Sequence, residues 1–201
     1  MSPVIIQALK SYKLEVKKRL RKSGKSTVVL ELLGVALVWA CFYYLNVWAF
    51  AYFEYNQRVN WIFLPAGIRM MAVFIFGWSG VLGLFVGSSL TNEAHLSADV
   101  LVLSWISALS PMLALLACRW FFALPSSLKG LTPRKLIVFS LLGALMNVIF
   151  SQLYFFYNDI ETSYWAITPM FIGDVLGTIL IFLLVSKALQ FSIYLSKKTA
   201  E

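Results

Sequence analysis

Charge is what this chain has least of. Only 13% of its 201 residues are charged and 60% are hydrophobic, where a soluble domain carries about 25% charged and 45–50% apolar residues. That imbalance excludes an ordinary soluble enzyme and points to an integral membrane protein. Cysteine is scarce too. Cys41 and Cys118 stand far apart in apolar runs, with no CxxC and no Cys/His cluster, so neither a zinc site nor a redox motif is indicated. His95 is the single histidine. There is no HExxH, no pair of close intramembrane aspartates and no phosphate-cradling glycine loop before a lysine. Apart from a GxSG match at Gly77–Gly80, the sequence offers no enzyme motif, and it implies no cofactor.

The charge that is present is unevenly placed. The net charge is +8, and eight of the 17 basic residues fall between Lys10 and Lys25, just before the first apolar run. Such a juxtamembrane cluster attracts anionic lipid headgroups, at ~1 kcal/mol per basic residue. No nucleic-acid motif accompanies it. Within residues 1–26, Val4, Ile5, Leu9, Tyr12, Val16 and Leu20 recur at mostly three- and four-residue spacings. This suits either an amphipathic helix on the cytoplasmic membrane surface or a basic tail. The apolar run that follows is longer than a signal peptide's ~7–15 residues, so it reads as an uncleaved first helix.

Apolar runs predict an all-α integral membrane fold of about six transmembrane helices in one domain, 27–190, followed by a cytoplasmic tail, 191–201. Helix 1 covers about Thr27–Phe53 and ends in an aromatic cluster suited to the outer interface. Helix 4 covers Ala98–Phe122 and is kinked at Pro111. Helix 5 covers Leu136–Tyr157, and helix 6 covers Tyr164–Leu189. The stretch Trp61–Thr91 is the difficult one. As a single helix it would be ~46 Å long, well beyond the ~30 Å hydrocarbon core. Charge resolves it. Two short helices reversing at Gly77–Gly80 put Arg119, Lys129, Arg134, Lys135, Lys187, Lys197 and Lys198 on the side of the amino-terminal basic run. The other side then receives Glu54, Arg58, Glu93, Asp99, Asp159 and Glu161. This is a positive-inside pattern with both termini cytoplasmic. Helices 2 and 3 are then about 15 and 12 residues, short enough to need shelter from longer neighbours.

Polar residues inside these runs are the candidate site. Arg69 on helix 2 and Asp174 on helix 6 lie ~12–15 Å below the outer surface by residue count, which makes them candidates to pair. A lone charge at mid-bilayer costs at least ~2.5–3.5 kcal/mol. Asn147 on helix 5 falls at similar depth, with Gln152 nearer the outer surface. Pro65 and Gly67 suit a bent start to helix 2 whose freed backbone groups face a cavity. These six residues are expected to line an outward polar cavity or to form a structural clamp. Glu31 is expected to snorkel or to pair with Lys25. Gly77-Trp78-Ser79-Gly80 matches the GxSG pattern of rhomboid proteases. However, Ser79 belongs to the cytoplasmic turn and His95 to an outer loop, too far apart to act as nucleophile and base.

Read together, several short motifs resemble the first-named MASE family of bacterial membrane-associated sensor domains. They are Phe63-Leu64-Pro65-Ala66-Gly67-Ile68, the turn Phe76-Gly77-Trp78, Gly83-Leu84-Phe85-Val86-Gly87, Asn92, and Gly173-Asp174-Val175-Leu176-Gly177 after Trp165. The order and spacing fit over roughly 35–190. The resemblance implies a sensor module of the bacterial inner membrane that feeds histidine kinase or cyclic-di-GMP domains. The family is usually about two helices longer, and Arg69 has no assigned place in its pattern. No output domain is expected in the residues given, so the expected mode of action is through a partner protein. A six-helix chain of this size with a basic cytoplasmic face is also similar to the substrate-binding S-components of energy-coupling factor transporters. A membrane scaffold for an envelope assembly is the third reading.

Overall fold

The computed structural model describes residues 25–56, 59–92, 97–121, 133–158 and 164–198. The amino-terminal segment before residue 25, His95, Lys129, and the loop charges Arg58, Glu93, Asp159 and Glu161 lie outside the described residues. Among the described residues six α-helices form the body. They are α1 (Lys25–Phe50), α2 (Pro65–Phe76), α3 (Trp78–Leu90), α4 (Ala98–Phe121), α5 (Pro133–Tyr157) and α6 (Ile167–Lys198). Four of them, α1, α4, α5 and α6, are long and apolar enough to cross a membrane. The chain is an all-α membrane protein in which α2 and α3 are too short to span alone. At 12 and 13 residues they measure ~18 and ~20 Å against a ~30 Å hydrocarbon core.

The outward surface fits a lipid solvent. Leu30 is 72% exposed, Trp48 83% and Phe156 71%, values that only a lipid surround makes favourable. Between α1 and α2 the chain was expected to be a plain polar loop. Instead Glu54–Asn56 (β1) and Val59–Asn60 (β2) pair antiparallel, Glu54 opposite Asn60. A short ladder satisfies backbone groups that a loose loop would leave to water. This strand pair marks one end of the bundle, the hairpin face.

The reversal between α2 and α3 is sharper than expected. It occurs at Gly77 alone, with φ 64° and ψ −125°, a conformation open in practice only to glycine. Ser79 and Gly80 already belong to the first turn of α3. Gly80 then packs against the Ala72 carbonyl so closely that an added Cβ would collide with it. In a continuous helix, residues eight apart would be ~12 Å apart, so this contact requires antiparallel folding of α3 onto α2. The two short helices are accordingly 12 and 13 residues, where about 15 and 12 were expected.

Other boundaries move for local reasons. α5 starts earlier than expected, at Pro133, whose fixed φ suits a first helical turn. α6 continues beyond Leu189 to Lys198, so most of the expected tail is helix. α4 carries Pro111 in its interior without interruption.

α2 is the hub. It touches each of the other five helices, and eight of its residues are buried. On one side Met70, Ala72 and Val73 join Val35 and Trp39 of α1, Val81 and Leu84 of α3, five residues of α4, and Phe139 of α5. On the other side Leu64 and Ile68 pack against Ile181 of α6. Small residues make these approaches possible. A Cβ on Gly67 would stand 2.5 Å from the Ile181 Cβ, and one on Gly83 would stand 2.7 Å from the Val35 Cβ. Gly77→Ala is expected to lower stability by ~1–3 kcal/mol through backbone strain, read as a lower midpoint of thermal unfolding in detergent.

Candidate functional site

Four helices bring polar side chains to one point inside this apolar core. Arg69 sits on the second turn of α2, and Asp174 sits on the second turn of α6. Each side chain is only 5% exposed, and Arg69 Nη2 lies 2.6 Å from Asp174 Oδ1. The guanidinium splits its fork, because Nη1 donates to Ser107 Oγ of α4 at 2.9 Å. The other carboxylate oxygen, Oδ2, accepts from Asn147 Nδ2 of α5 at 2.8 Å. Thr178, one turn along α6, donates to the Asp174 carbonyl at 2.7 Å. The Phe63 ring lies 5.6 Å from the guanidinium carbon, close enough for a cation–π contact of ~0.5–2 kcal/mol.

The backbone around the pair is held as tightly as the side chains. Asn46 Oδ1, in the last turns of α1, accepts from the Leu64 backbone N–H at 2.8 Å, satisfying one of the donors at the start of α2. Phe63 N–H donates to the Gly173 carbonyl at 3.1 Å. A side chain at Gly177 would collide with the Phe63 carbonyl, and one at Gly173 with the Asn60 carbonyl. The glycines flanking Asp174 therefore let α6 lie directly on the lead-in to α2, and this sets the carboxylate beside Arg69.

The sequence candidates divide into three groups. Arg69, Asp174 and Asn147 come together in one network. Pro65 and Gly67 are buried at the start of α2, where Pro65 supplies the first helical turn and Gly67 lies against Ile181. Gln152 is not joined to the network, and its amide nitrogen is buried without a hydrogen-bond partner. Two members were missed. Asn46 is a single polar residue within an apolar run, and that interruption is the available signal; Ser107 is one of three serines on α4, with Ser104 and Ser110, and nothing in the sequence singles it out. Ser107 is also four residues before Pro111, so its carbonyl lacks the donor that a regular helix would supply.

Outside the network, Ser79 was expected at the turn away from the hairpin face, and it lies there. Its hydroxyl is in short hydrogen-bonding contact with Glu31 and also 3.0 Å from the Phe76 carbonyl. Glu31 thus meets α3, where snorkelling or a pair with Lys25 was expected. Among the described residues no three His, Cys, Asp or Glu side chains gather as metal ligands would.

Chemically the arrangement is a closed circuit. Each carboxylate oxygen of Asp174 has a donor, and both terminal nitrogens of Arg69 have an acceptor. It can hold four helices in register, and it can switch only by exchanging one of these partners for another. Asp174→Asn or Arg69→Gln leaves the opposite charge buried and uncompensated, and each is expected to cost ~3–5 kcal/mol. The exchange Arg69→Asp with Asp174→Arg is expected to recover part of that loss in thermal unfolding.

No protein-family model, no curated protein and no solved structure matches the chain.

Proposed function

We propose that this chain is a sensor or binding module of the bacterial inner membrane, of the MASE type, whose state is passed to a partner protein through α6. The observation that carries the proposal is the position of Asp174. It joins the network on the longest helix of the bundle, the 32-residue α6. At 1.5 Å per residue α6 is ~48 Å long, ~18 Å more than a hydrocarbon core. A change at the Arg69–Asp174 contact shifts a rigid rod whose far end presents Phe191 and Tyr194, each 62% exposed. A buried ion pair with a defined set of partners suits a two-position device, because an intermediate position leaves charge unpaired in apolar surroundings.

In this reading the basic amino-terminal segment holds anionic headgroups on the cytoplasmic side, and α6 reaches the same side. The partner is a histidine kinase or cyclic-di-GMP enzyme. A transporter role, as a substrate-binding membrane subunit, uses the same geometry with an ATPase-bearing partner. A specific observation favours a third reading, a membrane scaffold: the carboxylate oxygens and both terminal guanidinium nitrogens of the pair are already bonded within the protein, which is what a purely structural clamp requires.

Photo-crosslinking from position 191 or 194 in native membranes, with adducts identified by mass spectrometry, separates these. Adducts to a signalling enzyme are expected. Adducts to an ATPase pair or its coupling subunit replace the sensor with the transporter, and adducts to an envelope structural protein replace it with the scaffold. Lipid adducts alone contradict coupling through α6.

A further inference from the structure

The reversal between α2 and α3 gathers oxygen atoms with too few protons among them. α2 ends at Phe76, and the last carbonyls of a helix have no donor within it. Gly77 uses both of its own backbone groups: its N–H donates to the Val73 carbonyl at 2.9 Å, and its carbonyl accepts from the Val81 N–H at 3.1 Å. The Phe76 carbonyl is left to the Ser79 hydroxyl, 3.0 Å away. The same hydroxyl oxygen is in short contact with Glu31 Oε2 of α1. A serine hydroxyl carries one proton, while a carbonyl and an ionised carboxylate only accept. Oxygens from α1, α2 and α3 therefore share a single donor.

Charge sharpens the shortage. Glu31 lies within the apolar span of α1, where an unmatched carboxylate is costly. α3 has no charged residue, and the one charge of α2 is Arg69, already held by Asp174 and Ser107. Lys25 is the other charge on α1. It is six residues from Glu31, off the three- and four-residue spacings that bring side chains together on a helix. Among the described residues no lysine or arginine is paired with Glu31. The reversal also sets the carbonyl end of α2 beside the amide end of α3, so their dipoles offset each other and neither supplies the missing positive charge.

We propose that the Glu31 carboxylate, the Ser79 hydroxyl and the Phe76 carbonyl bind a monovalent metal cation, sodium or potassium, at the α2–α3 reversal. Oxygen ligands suit hard cations, and carbonyls at a break between two short helices are a recurrent place for them in membrane proteins. The cation meets the lone pairs that the single hydroxyl proton cannot. One carboxylate balances one positive charge, whereas a divalent ion would leave a net charge in the apolar bundle. Seven residues of α2, ~10 Å, separate Phe76 from Arg69. The site is thus distinct from the buried ion pair, and it does not depend on the functional reading above.

The test is cation dependence of thermal unfolding for the purified protein in detergent. Choline is replaced by sodium or by potassium at constant ionic strength. A saturable rise of about 3 °C or more in the midpoint is expected with one of them, and the ion that produces it is the ligand. Glu31→Gln and Ser79→Ala are each expected to abolish the rise. No saturable rise with either ion, or a rise that persists unchanged in Glu31→Gln, overturns the proposal. Equilibrium dialysis of the wild-type protein against radioactive sodium, or rubidium in place of potassium, reads the same site without substitution. Binding of one ion per chain, displaced by excess unlabelled ion, is expected, and the absence of displaceable binding for both ions rejects the site.

Discussion

An arginine in the middle of an apolar bundle has to be matched, and that requirement organises this molecule. The cost of an unpaired charge at that depth is several times thermal energy, so Arg69 dictates what must surround it. Asp174 supplies the opposite charge, Ser107 takes the second guanidinium nitrogen, and Asn147 completes the carboxylate. Because these residues come from α2, α4, α5 and α6, satisfying one side chain places four helices. The remaining two helices are placed by other means: α1 by the hydrogen bond from the Leu64 N–H to Asn46 at the start of α2, and α3 by the reversal at Gly77.

Close backbone approach is the second constraint, and it serves the first. α6 reaches α2 only because Gly173 and Gly177 leave space for the carbonyls of Asn60 and Phe63, while Gly67 leaves space for Ile181. Gly83 and Gly87 do the same for α3 against Val35 and Trp39 of α1. In lipid there is no hydrophobic drive to bring helices together, so contact distance and hydrogen bonding supply the association energy. Larger side chains at these positions would move Asp174 away from Arg69. The short α2–α3 pair tolerates its length because the four long helices and one another cover it.

Much of this is legible in the residues themselves. The membrane class, the two short central helices and the pairing of Arg69 with Asp174 follow from hydropathy, charge placement and counted depth, quantities that depend on sequence position alone. The partners of the pair are harder. Asn147 is conspicuous as an amide in an apolar run, whereas Ser107 is one of several serines on α4, and only the helix rotation reveals which one meets Arg69. Asn46 lies among aromatics that suggest an interface and hide its capping role. The strand pair Glu54–Asn60 carries too few residues to show a period. Gly67 looks the same in sequence whether it lines a cavity or admits a neighbouring helix, and only the fold shows Ile181 beside it.

Direct coupling between Arg69 and Asp174 in the folded protein underlies all of these features. A double-mutant cycle with Arg69→Met and Asp174→Leu, followed by equilibrium unfolding in detergent micelles, measures it without reference to ligand or partner. Each single change strands one buried charge, while the double change removes both, so the double variant should be markedly more stable than the sum of the single losses. A coupling energy of about 2 kcal/mol or more is the predicted result. Additivity within about 0.5 kcal/mol would mean that the two residues do not meet in the folded protein, and would contradict the central role given to the pair.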